Sequence, residues 1–111
     1  MTRCTAQKHR HSDGSVILTL CVSGHADYAE NGKDIVCSAV SCLCISLANT
    51  LLSTGVDKRC VNIECGGFYM SAAITENVPY AEGAFDLAVG GLQSLAEQYP
   101  GHVAFTSGVS H

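Results

Sequence analysis

The sequence predicts a single α+β domain of two layers, in which a mostly antiparallel sheet carries both helices on one face. Strand-like segments come in pairs joined by tight-turn signals, and each pair is followed by a segment with apolar residues at helical spacing. The predicted order is strand, strand, helix, strand, strand, helix, strand. Residues 1–111 form one domain, because no linker or low-complexity segment divides them.

The first strand pair comprises residues 2–8 and 16–22, and an Asp13-Gly14 turn joins them. The first helix is predicted over Ile35–Thr54, with Gly55 as its stop. This helix has no charged side chain, and its apolar residues extend further around its circumference than one sheet face covers. We therefore expect a homodimer that uses this helix. Its many serine, threonine and asparagine side chains argue against a membrane span.

The second strand pair comprises residues 60–65 and 67–74, with Gly66 and Gly67 at the turn. Pro79 then starts the second helix, which ends before Pro100. Two adjacent glycines in its middle indicate either a close approach to a neighbour or a tolerated weakness. Residues 102–106 form the last strand, and residues 107–111 are expected to fray.

Composition narrows the class of function. With 47% hydrophobic residues the chain can bury a core, and a net charge of −4 with only six Lys and Arg argues against nucleic acid and favours a basic partner. Seven cysteines, an odd count, without a signal peptide predict reduced thiols and a cytoplasmic location. The chain has no Cys-x-x-Cys, and no third ligand is implied beside His9 and His11, so we expect no metal and no cofactor.

Residues 23–41 contain the chemistry that we interpret as an active site. A strand delivers His25, and Asp34 opens a helix that has Cys37 in its first turn. The pKa of a free cysteine thiol is about 8.5, and a helix N-terminus with a nearby imidazolium lowers this pKa to roughly 3.5–7.5. Cys37 is therefore a candidate nucleophile with His25 as its partner. The backbone N–H groups of Cys37 and Ser38 are the expected oxyanion donors.

Each of these residues also has an ordinary structural explanation. On composition alone Cys37 is interpreted as a buried cysteine without a chemical role, like the other six, and His25 as a hydrogen-bonded residue at a strand end. Asp34 is either only an N-cap or a residue whose charge also orients His25. Ser41, one turn after Cys37, more often bonds to a helix carbonyl than to substrate, and is kept as a secondary candidate. The other thiols are expected to be buried or strand residues: Cys4, Cys21, Cys42, Cys44, Cys60 and Cys65.

Two motifs resemble those of the bacterial ribosomal-processing cysteine proteases. They are Gly24-His25-Ala26 and the run Gly32-Lys33-Asp34-Ile35-Val36-Cys37, which is followed by small residues and Ser41. With residues 95–100, Leu-Ala-Glu-Gln-Tyr-Pro, the resemblance covers nearly the whole chain. It implies an α+β homodimer in which His25 and Cys37 are catalytic and Gly24 is a supporting residue. Ser38, where alanine is commoner, and Gly108 in the last strand depart from the family pattern.

The resemblance also implies the substrate, which is a short N-terminal extension of ribosomal large-subunit protein twenty-seven, cut after an aromatic residue. The loop of residues 27–33 would move to admit this peptide, and Asp27, Glu30 and Asp34 would attract its basic residues. Two other functions compete with proteolysis. One is a redox-sensing thiol, and the other is a non-catalytic dimeric module for ribosome assembly.

Overall fold

Strand pairs and helices alternate in the computed structural model, which describes residues 1–30, 33–64 and 67–110. Within these residues the order is the predicted one, with a short 3₁₀ turn at Lys58–Cys60 added before the third strand. The elements are β1 (Thr2–Arg10), β2 (Val16–Ser23), α1 (Ile35–Ser53), β3 (Val61–Glu64), β4 (Gly67–Ile74), α2 (Val78–Gln98) and β5 (Val103–Ser110).

The strands form one sheet in the order β3-β4-β2-β1-β5. Neighbouring strands are antiparallel except β1 and β5, which are parallel. The register places Leu20 of β2 between Ala6 of β1 and Met70 of β4. The prediction of a mostly antiparallel sheet is therefore confirmed.

The end of the last strand differs from the prediction. Instead of fraying after Thr106, β5 continues to Ser110 and pairs with β1, with Gly108 opposite Gln7. The glycine does not interrupt the strand, because the backbone pairing with β1 continues on both sides of it. His111 lies outside the described residues.

One face of the sheet is buried and the other is open. Cys4 and Ala6 of β1 alternate with exposed neighbours, and the buried side chains of β2 and β4 fall on the same face by register. The buried faces of both helices belong to the same core. Both helices therefore lie on one face of the sheet, as predicted. The core residues of β2 and β4 are Val16, Leu18, Leu20, Val22, Phe68, Met70, Ala72 and Ile74.

The two helices approach each other closely at Gly91 of α2. A Cβ atom at this position would lie 2.8 Å from both Cδ atoms of Leu43 on α1, whereas a Cβ at Gly90 would meet nothing within 4 Å. Of the two explanations for the glycine pair, close approach therefore holds for Gly91.

Helix α1 is long and apolar enough to cross a membrane by length and composition alone, a test that the core helix of a soluble protein also passes. Its buried side chains, among them Val40, Leu47 and Leu51, pack into the core. Its exposed face combines Ile35 and Ile45 with serines and an asparagine. The helix ends at Ser53, one residue before the predicted end, and Thr54 is its C-cap.

Candidate active site

The site begins at Gly24, directly after β2. This residue has φ of +84°, and a Cβ atom there would lie 2.5 Å from the carbonyl oxygen of Met1. Both the backbone conformation and the close approach require glycine. Gly24 turns the chain out of β2 and places His25, so the structure gives a physical reason for the supporting role expected of it.

His25 and Cys37 line the same cavity, which has a volume of about 160 Å³. His25 is exposed just beyond β2, and Cys37 is half-buried in the first turn of α1. The structure therefore brings together the two side chains that the sequence singled out, although they come from different elements. The apolar part of the cavity wall consists of Val22, Val40, Cys44, Ile45, Ile63 and Phe68.

A backbone group contacts the sulfur of Cys37 directly. The N–H of Ala26 donates a hydrogen bond to Cys37 Sγ over 3.2 Å, and Ala26 itself is buried. This N–H fixes the distance between the backbone after β2 and the sulfur in the first turn of α1. The sequence placed Ala26 in a motif beside His25 but gave no reason to assign its amide a contact with the thiol.

Asp34 is the N-cap of α1, and its carboxylate does more than cap. Oδ1 accepts from the N–H groups of Val36 and Cys37, both over 2.9 Å. Oδ2 accepts from the N–H groups of Tyr28 and Ala29, over 2.9 and 3.3 Å. These backbone hydrogen bonds, that of Cys37 foremost, hold the pKa of the Asp34 carboxyl below its usual range. Asp34 thus joins the preceding loop to the helix that carries Cys37.

The expectation that Asp34 attracts a basic peptide is wrong. Its carboxylate is buried and accepts four backbone hydrogen bonds, so it does not face a peptide in solvent. Asp27 and Glu30 are exposed acidic residues of the same loop. Asp27 forms an ion pair with the Met1 amino group over 3.3 Å, and Glu30 lies 4.0 Å from the Lys33 ammonium group. Residues 31 and 32 of the predicted loop, which include Gly32 of the motif, lie outside the described residues.

The two expected oxyanion donors already have partners in this conformation. The Cys37 N–H donates to Asp34 Oδ1, and the Ser38 N–H donates to the Asp34 carbonyl over 3.1 Å in the first intrahelical bond. An oxyanion would have to share or displace these bonds. Ser41 is exposed on the next turn and lines the cavity with Cys37, so its position is compatible with a contact to substrate.

The remaining described thiols differ in exposure. Burial raises the pKa of Cys4 to about 11 and that of Cys44 to about 12. Cys21 and Cys42 are exposed, and for Cys42, a helical residue, the expectation of burial is wrong because its side chain lies on the exposed face of α1, whereas Val40 and Cys44 of the same turn are buried. Cys44 lines the cavity of Cys37, but its high pKa makes it a poor resolving thiol for a redox sensor. Cys65 lies outside the described residues.

Metal ligands do not cluster in the part of the chain that the structure describes. No group of three or more His, Cys, Asp or Glu side chains there could hold a metal ion. His9 and His11 pack ring against ring, with centroids 4.6 Å apart. The functional groups that the described residues bring to the cavity include the Cys37 thiol, the His25 imidazole and the Ser41 hydroxyl.

Comparison with known proteins shows which protein family this chain matches. A family profile described as cysteine protease Prp matches residues 1–104. A protein of Staphylococcus aureus named ribosomal processing cysteine protease Prp is 25% identical over 89 residues, which are 79% of this chain and 84% of that protein.

Solved structures share the fold over nearly the whole chain. The crystal structure of an essential ribosomal processing protease Prp from S. aureus, in complex with a covalently linked product peptide, has a TM-score of 0.73 and 23% identity. That likeness covers 95% of this chain and 99% of the other. A crystal structure of a Streptococcus mutans protein has a TM-score of 0.66 and 27% identity, covering 99% of this chain and 96% of the other.

Proposed function

Because the chain belongs to the Prp family of cysteine proteases, we propose that Cys37 and His25 are its catalytic pair. The protein is a peptide hydrolase, as its family and the S. aureus relative indicate. The observation that carries the assignment is that Cys37, in the first turn of α1, and His25, just beyond β2, line one cavity. The Ala26 N–H aimed at Cys37 Sγ supports the thiolate form that attack requires.

The proposed reaction passes through a thioester. His25 takes the proton of Cys37, and the sulfur bonds to the carbonyl carbon of the scissile peptide. His25 returns the proton to the leaving amine as the carbon–nitrogen bond breaks. Water then attacks the thioester, with His25 accepting its proton and Cys37 leaving. The backbone N–H groups of Cys37 and Ser38 remain the proposed oxyanion donors, shared with Asp34.

We propose as substrate the N-terminal extension of ribosomal large-subunit protein twenty-seven, cut after an aromatic residue. The name of the S. aureus relative supports ribosomal processing, and a structure of that protease at 22% identity and a TM-score of 0.67 contains a substrate peptide. The cavity beside Cys37 has an apolar wall that includes Phe68 and Ile63, which suits an aromatic side chain. Asp27 and Glu30 are exposed acidic residues of the loop between His25 and Cys37, which suits a basic peptide.

A synthetic peptide that copies the extension and the first residues of the mature protein tests this proposal. We expect a single cut after the aromatic residue, detected by mass. A second peptide with alanine at the aromatic position should be cut at least about tenfold more slowly, because the apolar wall then buries less surface. Equal cleavage of both peptides would contradict the proposed specificity, and cleavage of neither would contradict the proposed substrate.

Assembly as a homodimer and a cytoplasmic location are also proposals. Ile35 is 60% exposed on α1 and does not line the cavity, which supports a contact between two copies through this helix. The free thiols of the described residues suit a reducing compartment. Sedimentation at micromolar concentration should give twice the chain mass. A monomer would end the dimer proposal.

A further inference from the structure

We propose that His102 is a positioning residue for the active-site thiol and acts through the backbone of Ala26. The residue lies between the end of α2 and the start of β5, 76 residues from Ala26 in sequence. It does not line the cavity that contains Cys37 and His25. The inference rests on the proposed role of Cys37 as nucleophile, and its experiment includes a measurement that needs no substrate.

The contact is a hydrogen bond of 2.8 Å between His102 Nδ1 and the carbonyl oxygen of Ala26. A carbonyl oxygen can only accept, so Nδ1 carries the hydrogen and donates. On its other side Ala26 donates its N–H to Cys37 Sγ. One buried residue is therefore held from both sides, by an imidazole at its carbonyl and by the sulfur at its N–H.

The backbone around Ala26 needs such a restraint. The next residue, Asp27, has φ of +55°, a left-handed conformation that an aspartate adopts at some cost. The preceding residue is His25, the proposed base. The carbonyl and the N–H of Ala26 belong to two peptide groups joined at one Cα atom, so a bond that holds the carbonyl also limits the movement of the N–H directed at Cys37 and of His25 before it.

His102 is itself firmly held. Its N–H donates to the carbonyl of Tyr99 over 2.9 Å, and its carbonyl accepts from the N–H of Thr2 over 2.9 Å. Its ring packs edge to face with Tyr28 at a centroid distance of 5.4 Å, and Tyr28 packs in the same way on Tyr99 at 5.3 Å. The Tyr28 N–H in turn donates to Asp34 Oδ2. The imidazole can thus fix Ala26 because contacts with Thr2, Tyr28 and Tyr99 hold His102 in place.

Three substitutions separate hydrogen bonding from packing. His102→Phe keeps a ring against Tyr28 but has no donor, and His102→Ala is a second donor-free variant. His102→Asn places an amide N–H near the position of Nδ1 and retains the donor. His9→Ala, at an exposed histidine of β1, is the matched control. For each protein we would measure kcat and KM on the extension peptide, the thermal midpoint, and the pH profile of Cys37 alkylation by iodoacetamide.

Removal of the donor should lower kcat about tenfold, as expected when a hydrogen bond to a charged group is weakened. KM should stay within about twofold, because His102 does not line the substrate cavity. The alkylation profile of Cys37 should move to higher pH, since the thiolate loses part of its N–H donor. His102→Asn should restore most of kcat and of the profile, and His9→Ala should match the parent.

A purely structural role gives a different pattern. If the Phe, Ala and Asn variants lose kcat equally, in proportion to their thermal destabilisation, and the alkylation profile stays at the parent position, the proposal is wrong. If the parent cuts no peptide at all, the proposed function fails. The alkylation profiles then still decide whether His102 positions the thiol, since they need no substrate.

Discussion

The backbone N–H of Ala26 donates a hydrogen bond to Cys37 Sγ over 3.2 Å and so joins the end of β2 to the first turn of α1. The two residues are 11 positions apart, and residues 31 and 32 of the loop between them are not described. Because the donor belongs to the main chain, no side-chain substitution removes it alone. The residues that hold the backbone in place must therefore be varied instead.

Asp34→Asn should fold but cut the extension peptide more slowly than the parent. Asparagine caps a helix as well as aspartate, so a residue that only caps would tolerate the change. Here both carboxylate oxygens accept from backbone N–H groups, and an amide can replace only one of them. Asp57→Asn, which also changes a capping aspartate but lies in the 3₁₀ turn, is the control and should retain full activity. Normal turnover of Asp34→Asn would show that Asp34 is only a cap.

The thermal midpoint of the protein should fall in acid partly through Asp34. The pKa of its carboxyl is lower in the folded chain, through hydrogen bonds from Cys37 first and from Tyr28 and Ala29, than the ordinary value of about 3.9 in the unfolded chain. The stabilisation is therefore present above about pH 4 and is lost as pH falls through the folded value. Thermal scans of the parent and of Asp34→Ala should converge toward low pH. Parallel curves would contradict this contribution.

Gly24→Ala should lose activity, and Gly14→Ala should keep it. Both glycines have positive φ, +84° and +90°, so each substitution should cost about 1–2 kcal/mol in backbone strain. Only at Gly24 would the new Cβ also press on the Met1 carbonyl oxygen and displace His25, since nothing lies within 4 Å at Gly14. Peptide cleavage at a temperature where both variants are folded measures the difference. Equal activity would remove the positioning role of Gly24.

The adjacent glycines of α2, Gly90 and Gly91, should respond in opposite ways to alanine. Gly90→Ala gains helix propensity without a contact and should raise stability by up to about 1 kcal/mol. Gly91→Ala places a Cβ 2.8 Å from both Cδ atoms of Leu43, so that side chain must move and stability should fall below that of Gly90→Ala. Urea unfolding of both variants tests the pair. Equal stabilities would contradict a cost for moving the Leu43 side chain.

The order of elements could be predicted because local signals agree with the global arrangement. Asp13-Gly14 marks the first turn, Asp34 marks the start of α1, and strand segments alternate between apolar and polar residues. The extension of β5 through Ser107, Gly108 and Ser110 could not be predicted, since these residues have low strand propensity. Pairing with β1 fixes their conformation.

At the site, Cys37 and His25 could be predicted because their residue types and placement carry the chemistry. The hydrogen bond from Ala26 could not be predicted, since a main-chain contact depends on the loop conformation, including the positive φ of Asp27. His102 could not be found either. Nothing in the sequence connects it with a residue 76 positions away, and the pairing of β1 with both β2 and β5 brings it near Ala26.

The most direct test of Cys37 as the nucleophile compares cleavage of the extension peptide by Cys37→Ala and Cys42→Ala. In parallel, the parent is labelled with a limiting dose of iodoacetamide at about pH 6.5. Cys42 is the matched control, because it is an exposed thiol on the same helix. We expect Cys37→Ala to abolish cleavage, Cys42→Ala to preserve it, and Cys37 to be labelled first, in step with the loss of activity. Full activity of Cys37→Ala, or labelling of Cys21 and Cys42 as fast as Cys37, would contradict the assignment of Cys37 as the nucleophile.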